Sequence, residues 1–180
     1  MQIVTDWTGV EAALRGASAA MGNFDGVHTA RRPGLPLGVV TFEPHPRQVF
    51  APDAPPFRLM NAESRRNRLA RLGVDILYEL PFSRDLASLG AEEFARRVLS
   101  EGLGLRHVVV GADFRFGKGR AGTAEGLAAL GAALGFEVTI QRLIGGSQDA
   151  WSEFIARFSP AIFGAVINTL RKAGFNSDDG

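Results

Sequence analysis

Four short apolar runs set the terms for this chain: residues 37–42 (LGVVTF), 74–79 (VDILYE), 106–110 (RHVVV) and 136–140 (FEVTI). Each is too short for a buried helix and rich in β-branched residues, as expected of a strand covered on both faces. A fifth run, residues 18–21, is small and apolar and ends in Gly22. Helical patterns lie between them. Residues 61–72 (NAESRRNRLARL) read as a helix with Asn61 as N-cap and Gly73 beyond its end. Residues 92–99 place Phe94, Val98 and Leu99 on one face, and residues 123–134 form an Ala/Leu/Gly helix ended by Gly135. Strands alternating with helices predict an α/β fold built on a parallel sheet of about five strands.

The connecting segments are punctuated by their own chemistry. Pro44, Pro46, Pro52, Pro55 and Pro56 predict an extended loop after the second strand. Arg65, Arg66, Arg68 and Arg71 read as the solvated side of their helix. Past Gly145-Gly146 the strand signals stop. Trp151, Phe154, Ile155, Phe158, Ile162, Phe163, Val166 and Leu170 recur at helical steps, with Pro160 breaking the run after Ser159. The domain boundary is therefore expected near residue 146, with an α/β domain over 1–146 and a helical tail over 147–180. The apolar face of that tail predicts packing on the body or self-association.

Composition narrows the chemistry. The chain has no Cys, which excludes disulfides, thiolate nucleophiles and Cys-ligated zinc. His28, His45 and His107 show no i, i+4 pairing of the helical zinc type. A net charge of +1 gives no global pull toward nucleic acid. No apolar run approaches a membrane span, and MQIVTDW has neither the basic nor the apolar region of a secretion signal. A cytoplasmic protein without membrane or specific nucleic-acid partners is expected.

Three loops leave predicted strand ends, where ligands sit in a parallel α/β sheet. The first holds Gly22, Asn23, Phe24, Asp25, Gly26, Val27 and His28. The second holds Phe42, Glu43, Pro44, His45 and Pro46. The third, residues 111–122, is GADFRFGKGRAG. Glycines let backbone N–H groups approach phosphate oxygens, and Arg115, Lys118 and Arg120 are placed to neutralise them. Phe24, Phe114 and Phe116 offer faces to a planar ring. Singly, each loop has a bland reading: a plain turn, a structural His28 or His45, core phenylalanines. His107, at a strand start, reads as structural.

Taken in order, GNFDGVH, VVTFEPHPRQVF, APPFRLM, RLGVD, ELPF, EEFARRVL, HVVVGADFRFGKGRAG and GFEV resemble the FMN adenylyltransferase module of bacterial bifunctional riboflavin kinase/FAD synthetase. The resemblance covers about residues 1–143 and rests on several separate motifs. It implies a Rossmann-like nucleotidyltransferase fold and transfer of AMP from ATP to FMN, giving FAD and pyrophosphate with Mg²⁺. It implies that Gly22, Asn23, Phe24, Asp25, Gly26 and His28 form the ATP loop, with His28 and Asn23 in the catalytic roles. Phe42, Pro44, His45, Pro46, Asp113, Phe116 and Arg120 would then surround the flavin.

The chain also departs from that pattern. The family continues after His28 with a Gly-His pair and a long helix, whereas this chain has Thr29, Ala30, Arg31, Arg32, Pro33 and Gly34. About eight residues separate His28 from the second strand, short of the ten to twelve that a crossover with its helix needs. The first crossover is thus expected to lose its helix or be rebuilt. The family's closing Ser-Ser-Thr-x-Ile-Arg motif and kinase domain are not found, and residues 149–180 resemble instead the start of a sigma factor core-binding region. Two classes of function follow: an FMN adenylyltransferase of impaired activity, or a non-catalytic flavin- or nucleotide-binding remnant.

Overall fold

A computed structural model describes residues 1–22, 27–50 and 62–141. The chain divides into two units, Met1–Arg142 and Leu143–Gly180, and every described residue lies in the first. The expected tail helices, the Asn61 cap, and Asn23, Phe24, Asp25 and Gly26 lie outside the described residues.

The first unit is a parallel sheet with helices. Its strands are β1 (Gln2–Val4), β2 (Ser18–Met21), β3 (Leu37–Glu43), β4 (Ile76–Pro81), β5 (His107–Gly111) and β8 (Glu137–Gln141), ordered β1-β4-β3-β2-β5-β8. Every pairing in this sheet is parallel. The five expected strands are present, and the sheet formed by the described residues has six. The missed one, β1, is a three-residue edge strand with one buried side chain, and its pairing with β4 creates it. A separate two-stranded ribbon joins β6 (Arg115–Phe116) to β7 (Gly122–Thr123).

Strand alternation sorts the core into two faces. One face carries Ala19, Met21, Val40, Tyr78, Leu80, Val108 and Val110. It packs against Phe94, Val98 and Leu99 of a helix and against Leu127 of α5 (Ala124–Leu134). The first of these helices starts as α4 (Ala91–Glu93) and continues as a π-helix over Phe94–Gly102, with Leu103 N–H reaching Val98 C=O at 2.8 Å. Thr123 caps α5 through Gly126 N–H at 3.0 Å, and Gly135 ends it in the left-handed conformation, φ 82°.

The other face carries Ala20, Val39, Leu77 and Val109, but also Ser18, Glu79 and His107, all buried. Here α2 (Ala62–Arg71) contributes Leu69. No helix occurs among the described residues of the β2–β3 connection. Instead a turn at 27–30 drops Val27 and Ala30 into the core, at 1% and 0% exposure. Arg31 donates to Leu72 C=O at 3.2 Å, tying the turn to the end of α2. Arg32 approaches Thr139 Oγ1 at 3.5 Å and His107 Nε2 at 3.3 Å. The Arg-Arg-Pro-Gly stretch thus staples the short crossover down.

His107 is the centre of that staple. Ser18 Oγ donates to Ala30 C=O, so it accepts from His107 Nδ1 at 2.7 Å. That leaves His107 Nε2 as the acceptor for Thr139 Oγ1 at 2.8 Å. Burial, then the Arg32 charge, hold this imidazole below its ordinary value of 6.5, with Glu137 opposing. The unfolded chain therefore takes up this proton before the folded one does. Stability is expected to be full above pH 6.5 and to fall as pH drops from there through the folded value. Urea unfolding between pH 7.5 and 5 checks this, and His107→Gln is expected to flatten the slope.

Candidate functional site

The strand order reverses between β2 and β5. From β2 the chain moves through β3 to β4, while β5 and β8 lie on the other side. A crevice opens at such a reversal, beyond the carboxyl ends of the strands. Gly22, where the first loop begins, and the third loop flank it. Gly22, φ 102°, turns the chain out of β2, and a Cβ there would lie 3.5 Å from Phe114 Cδ2. A side chain at position 22 would therefore meet both backbone strain and the aromatic ring.

From Phe114 a file of phenylalanine rings runs along the carboxyl ends of the strands. Phe114 stacks on Phe116 with centroids 5.6 Å apart and planes 16° from parallel. Phe116 meets Phe94 at 5.8 Å, and Phe94 meets Phe42 at 6.3 Å. Phe42 packs edge-on to Phe82 at 5.9 Å, and Phe82 meets Phe50 at 5.6 Å. The rings come from the third loop, the π-helix, the end of β3, the residue after β4, and the end of α1 (Pro46–Phe50). Their spacings are those of attractive aromatic pairs. Phe50, 71% exposed, is the outer end of the file. The structure thus joins two of the three loops around one aromatic wall and sets the third, through Gly22, against its inner end.

The existence of α1 corrects the extended reading of the proline-rich stretch, at least to Phe50. Pro46 stands at the first helical position, where its missing N–H is no loss. Pro44 is exposed, and His45 and Pro46 are half-buried.

The third loop is a small hairpin. Arg115 pairs with Thr123 and Phe116 with Gly122, and a 3₁₀ turn at Lys118–Arg120 forms the tip. A Cβ on Gly122 would lie 2.6 Å from the Phe116 ring, so glycine makes room for it. Lys118 N–H donates to Leu89 C=O at 2.8 Å, fastening the tip to the helical layer. Asp113, Arg115, Lys118 and Arg120 are exposed at this rim. Arg120 has φ 58°, the left-handed region that L-residues seldom adopt.

His28 sits exposed on the turn at 27–30, its carbonyl accepting from Arg31 N–H at 3.3 Å. Its neighbour Thr29 reaches Gln141 at 3.5 Å, which brings the turn to the carboxyl end of β8.

A buried charge cluster adjoins the second loop, and it overturns the solvated reading of Arg65. Arg65 is 6% exposed. Its Nη2 donates to Glu43 Oε2 at 2.9 Å and to Glu79 Oε1 at 2.6 Å, while Arg66 Nη2 bonds the other oxygen of Glu79. Burial pushes the Glu79 carboxyl up, but the bonds from Arg66 and Arg65 outweigh it and hold the group below the usual carboxylate range. Two signals in the sequence pointed here. Arg65 lies one helical turn before Leu69 on the sheet-facing stripe, and Glu79 is a carboxylate inside an apolar strand that needs a partner.

A parallel sheet with a reversal crevice, glycine turns and an aromatic wall defines an α/β domain of the nucleotidyltransferase type. The sequence profile of the FAD synthetase family matches residues 10–153. The chain belongs to the FAD synthetase family. It is similar to the bifunctional riboflavin kinase/FMN adenylyltransferase of Pseudomonas fluorescens, 39% identical over 150 residues, covering 77% of this chain and 48% of that one. The protein of the same description in Escherichia coli K12 is 36% identical over 141 residues, covering 72% and 45%. The Bacillus subtilis protein is 37% identical over 117 residues, covering 58% and 37%. The chain spans about half the length or less of these relatives. Among solved structures, one described as a macrolide-efflux protein from Streptococcus pneumoniae superimposes with a TM-score of 0.60 at 26% identity, covering 82% of this chain and 52% of that one. No helix among the described residues is long and apolar enough to cross a membrane.

Proposed function

We propose that this chain is an FMN adenylyltransferase of reduced activity, transferring AMP from ATP to FMN. The observation that carries this reading is the file of phenylalanine rings at the carboxyl ends of the strands: Phe94 and Phe116 are buried and anchor it, while half-buried Phe114, Phe42 and Phe82 and exposed Phe50 leave apolar surface for a flat ring system. In the reaction an FMN phosphate oxygen attacks the α-phosphorus of ATP in line. The new O–P bond forms as the bond to the β-phosphate oxygen breaks, and pyrophosphate leaves. No covalent nucleophile is needed, since positioning and charge stabilisation do the work.

In this reading Gly22, Asn23, Phe24, Asp25, Gly26 and His28 receive ATP, with His28 and Asn23 at the transferring phosphoryl group. Phe42, Pro44, His45, Pro46, Asp113, Phe116 and Arg120 surround the flavin. The described residues hold no cluster of three or more His, Asp or Glu side chains fit to cage a metal. Mg²⁺ belongs here as the counter-ion of ATP, held through its phosphates, and no step is assigned to it.

Incubating the chain with FMN, ATP and Mg²⁺ and separating the flavins by chromatography tests the reading. FAD and pyrophosphate in equal amounts are expected, and flavin fluorescence should quench on titration. Absence of both FAD and FMN binding would overturn it.

Arg120 allows a finer check. Glycine tolerates the positive φ of that position, which costs an L-residue about 1–2 kcal/mol, though glycine also has more unfolded freedom to lose. Arg120→Gly is expected to leave stability unchanged or to raise it by up to about 1 kcal/mol, while ligand affinity falls with the lost charge. Paired urea unfolding and flavin titration read the two effects separately.

A further inference from the structure

We infer that Arg65 is a positioning residue for the flavin side of the site: through Glu43 it fixes the direction in which residues 44–50 leave the sheet. This rests on the reading proposed above.

The last two residues of β3 are held from opposite faces. Phe42 points into the apolar face, between Phe94 at 6.3 Å and Phe82 at 5.9 Å. Glu43 points to the other face, where Arg65 Nη2 meets it at 2.9 Å. The Glu43 backbone is held as well, its carbonyl accepting from Phe82 N–H at 3.1 Å. Immediately beyond lie Pro44, His45 and α1, which carries Phe50 to its edge-on contact with Phe82. A rotation at Glu43 would therefore swing the outer end of the aromatic file away from the rest.

Arg65 is itself firmly placed. It is buried, and the same Nη2 also donates to Glu79 Oε1 at 2.6 Å, in the neighbouring strand. Glu79 lies opposite Thr41 in the β3–β4 register, two residues before Glu43. One nitrogen thus bridges the carboxylate of β4 to the carboxylate at the end of β3. Arg65 Nε is buried and makes no hydrogen bond. Its loss in a lysine removes a cost, while a lysine ammonium retains a charged donor for both carboxylates.

The test compares Arg65→Met, Arg65→Lys and Glu43→Gln in the full chain. Amide exchange without ligand reads the position of the loop through Val49 N–H, which bonds His45 C=O at 3.4 Å. Arg65→Met and Glu43→Gln are expected to speed Val49 exchange at least tenfold, with Val108 and Val109 of β5 unchanged. Both are expected to raise the dissociation constant for FMN about tenfold while ATP affinity holds. Arg65→Lys should restore most of both properties. If Arg65→Met does not fold, Glu43→Gln carries the test, because its carboxylate is half-exposed. Unchanged Val49 exchange in folded Glu43→Gln would overturn the inference. Failure of the wild-type chain to bind FMN would sink the proposed function instead, and the exchange data would still decide the role of Arg65.

Discussion

FAD formation by this chain is expected to run at least a hundredfold slower than by the bifunctional relative from Pseudomonas fluorescens assayed beside it. The expectation follows from the rebuilt crossover. The family pattern places a second His and a helix N-terminus after the first signature His. Here Arg31 and the turn at 27–30 stand in that place, and the described part of the crossover has no helix. A helix N-terminus offers unpaired N–H groups and the positive end of a dipole to a phosphate. Losing one donor that acts on developing transition-state charge typically costs about 2.7–4 kcal/mol, or roughly a hundred- to a thousandfold in rate. Two such losses do not simply add, so a hundredfold is a lower bound. Arg31 is directed elsewhere, its Nη2 donating to Leu72 C=O at the end of α2 at 3.2 Å. Flavin binding should suffer less, since the rings from Phe114 to Phe50 form a continuous file without the missing helix. Steady-state FAD formation beside a flavin fluorescence titration separates the two. Turnover near 1 s⁻¹, within the ordinary enzyme range, would show that the missing helix and His are dispensable.

Replacing Glu79 by alanine is expected to destabilise the fold by about 3–5 kcal/mol, the usual cost of removing one partner from a buried ion pair. Glu79 is 5% exposed and accepts from both Arg65 and Arg66. Without it, Arg65 keeps Glu43, and Arg66 loses the carboxylate it bonds. In a chain of this size that corresponds to a drop in melting temperature of roughly 10 °C. Glu79→Gln should fall between, because the amide keeps an acceptor but not the charge. The same carboxylate sets an acid limit distinct from that of His107. Its folded value lies below the ordinary 4.5 despite burial, because the Arg66 and Arg65 bonds favour the charged form. Its contribution is therefore complete above pH 4.5 and lost as pH falls through the folded value. Thermal unfolding across pH 7 to 3, with Glu79→Gln as control, checks magnitude and window together. A change below about 1 kcal/mol for Glu79→Ala would show that the cluster is neutral to stability.

The sequence marks where the candidate residues fall along the chain, for a local reason. Gly22, Phe42, Pro44, His45, Pro46, Asp113, Phe116 and Arg120 lie at or just beyond strand ends, and a strand end shows in sequence as a run of β-branched residues meeting glycine or proline. The parallel arrangement then dictates that such ends share one rim. The file of rings was not legible, since Phe82 and Phe94 read as ordinary apolar positions and only the strand order brings them between Phe50 and Phe114. Arg65 was misread because most arginines on a helix are solvated, and its partners lie in two strands on either side of it in sequence.

By itself, then, the sequence determined the alternation of strands and helices, the end of α5 at Gly135, the family pattern of the loops, and the shortness of the crossover after His28. These follow from the conformational preferences and spacing of near neighbours. Only the tertiary structure decided that β1 is a strand, that Arg65 and Glu79 are buried together, and that His107 holds the short crossover through Ser18, Arg32 and Thr139. Each of these depends on an unmet need of the backbone or of a buried polar group. Such a need is satisfied by whichever partner the fold brings near, however distant it is along the chain.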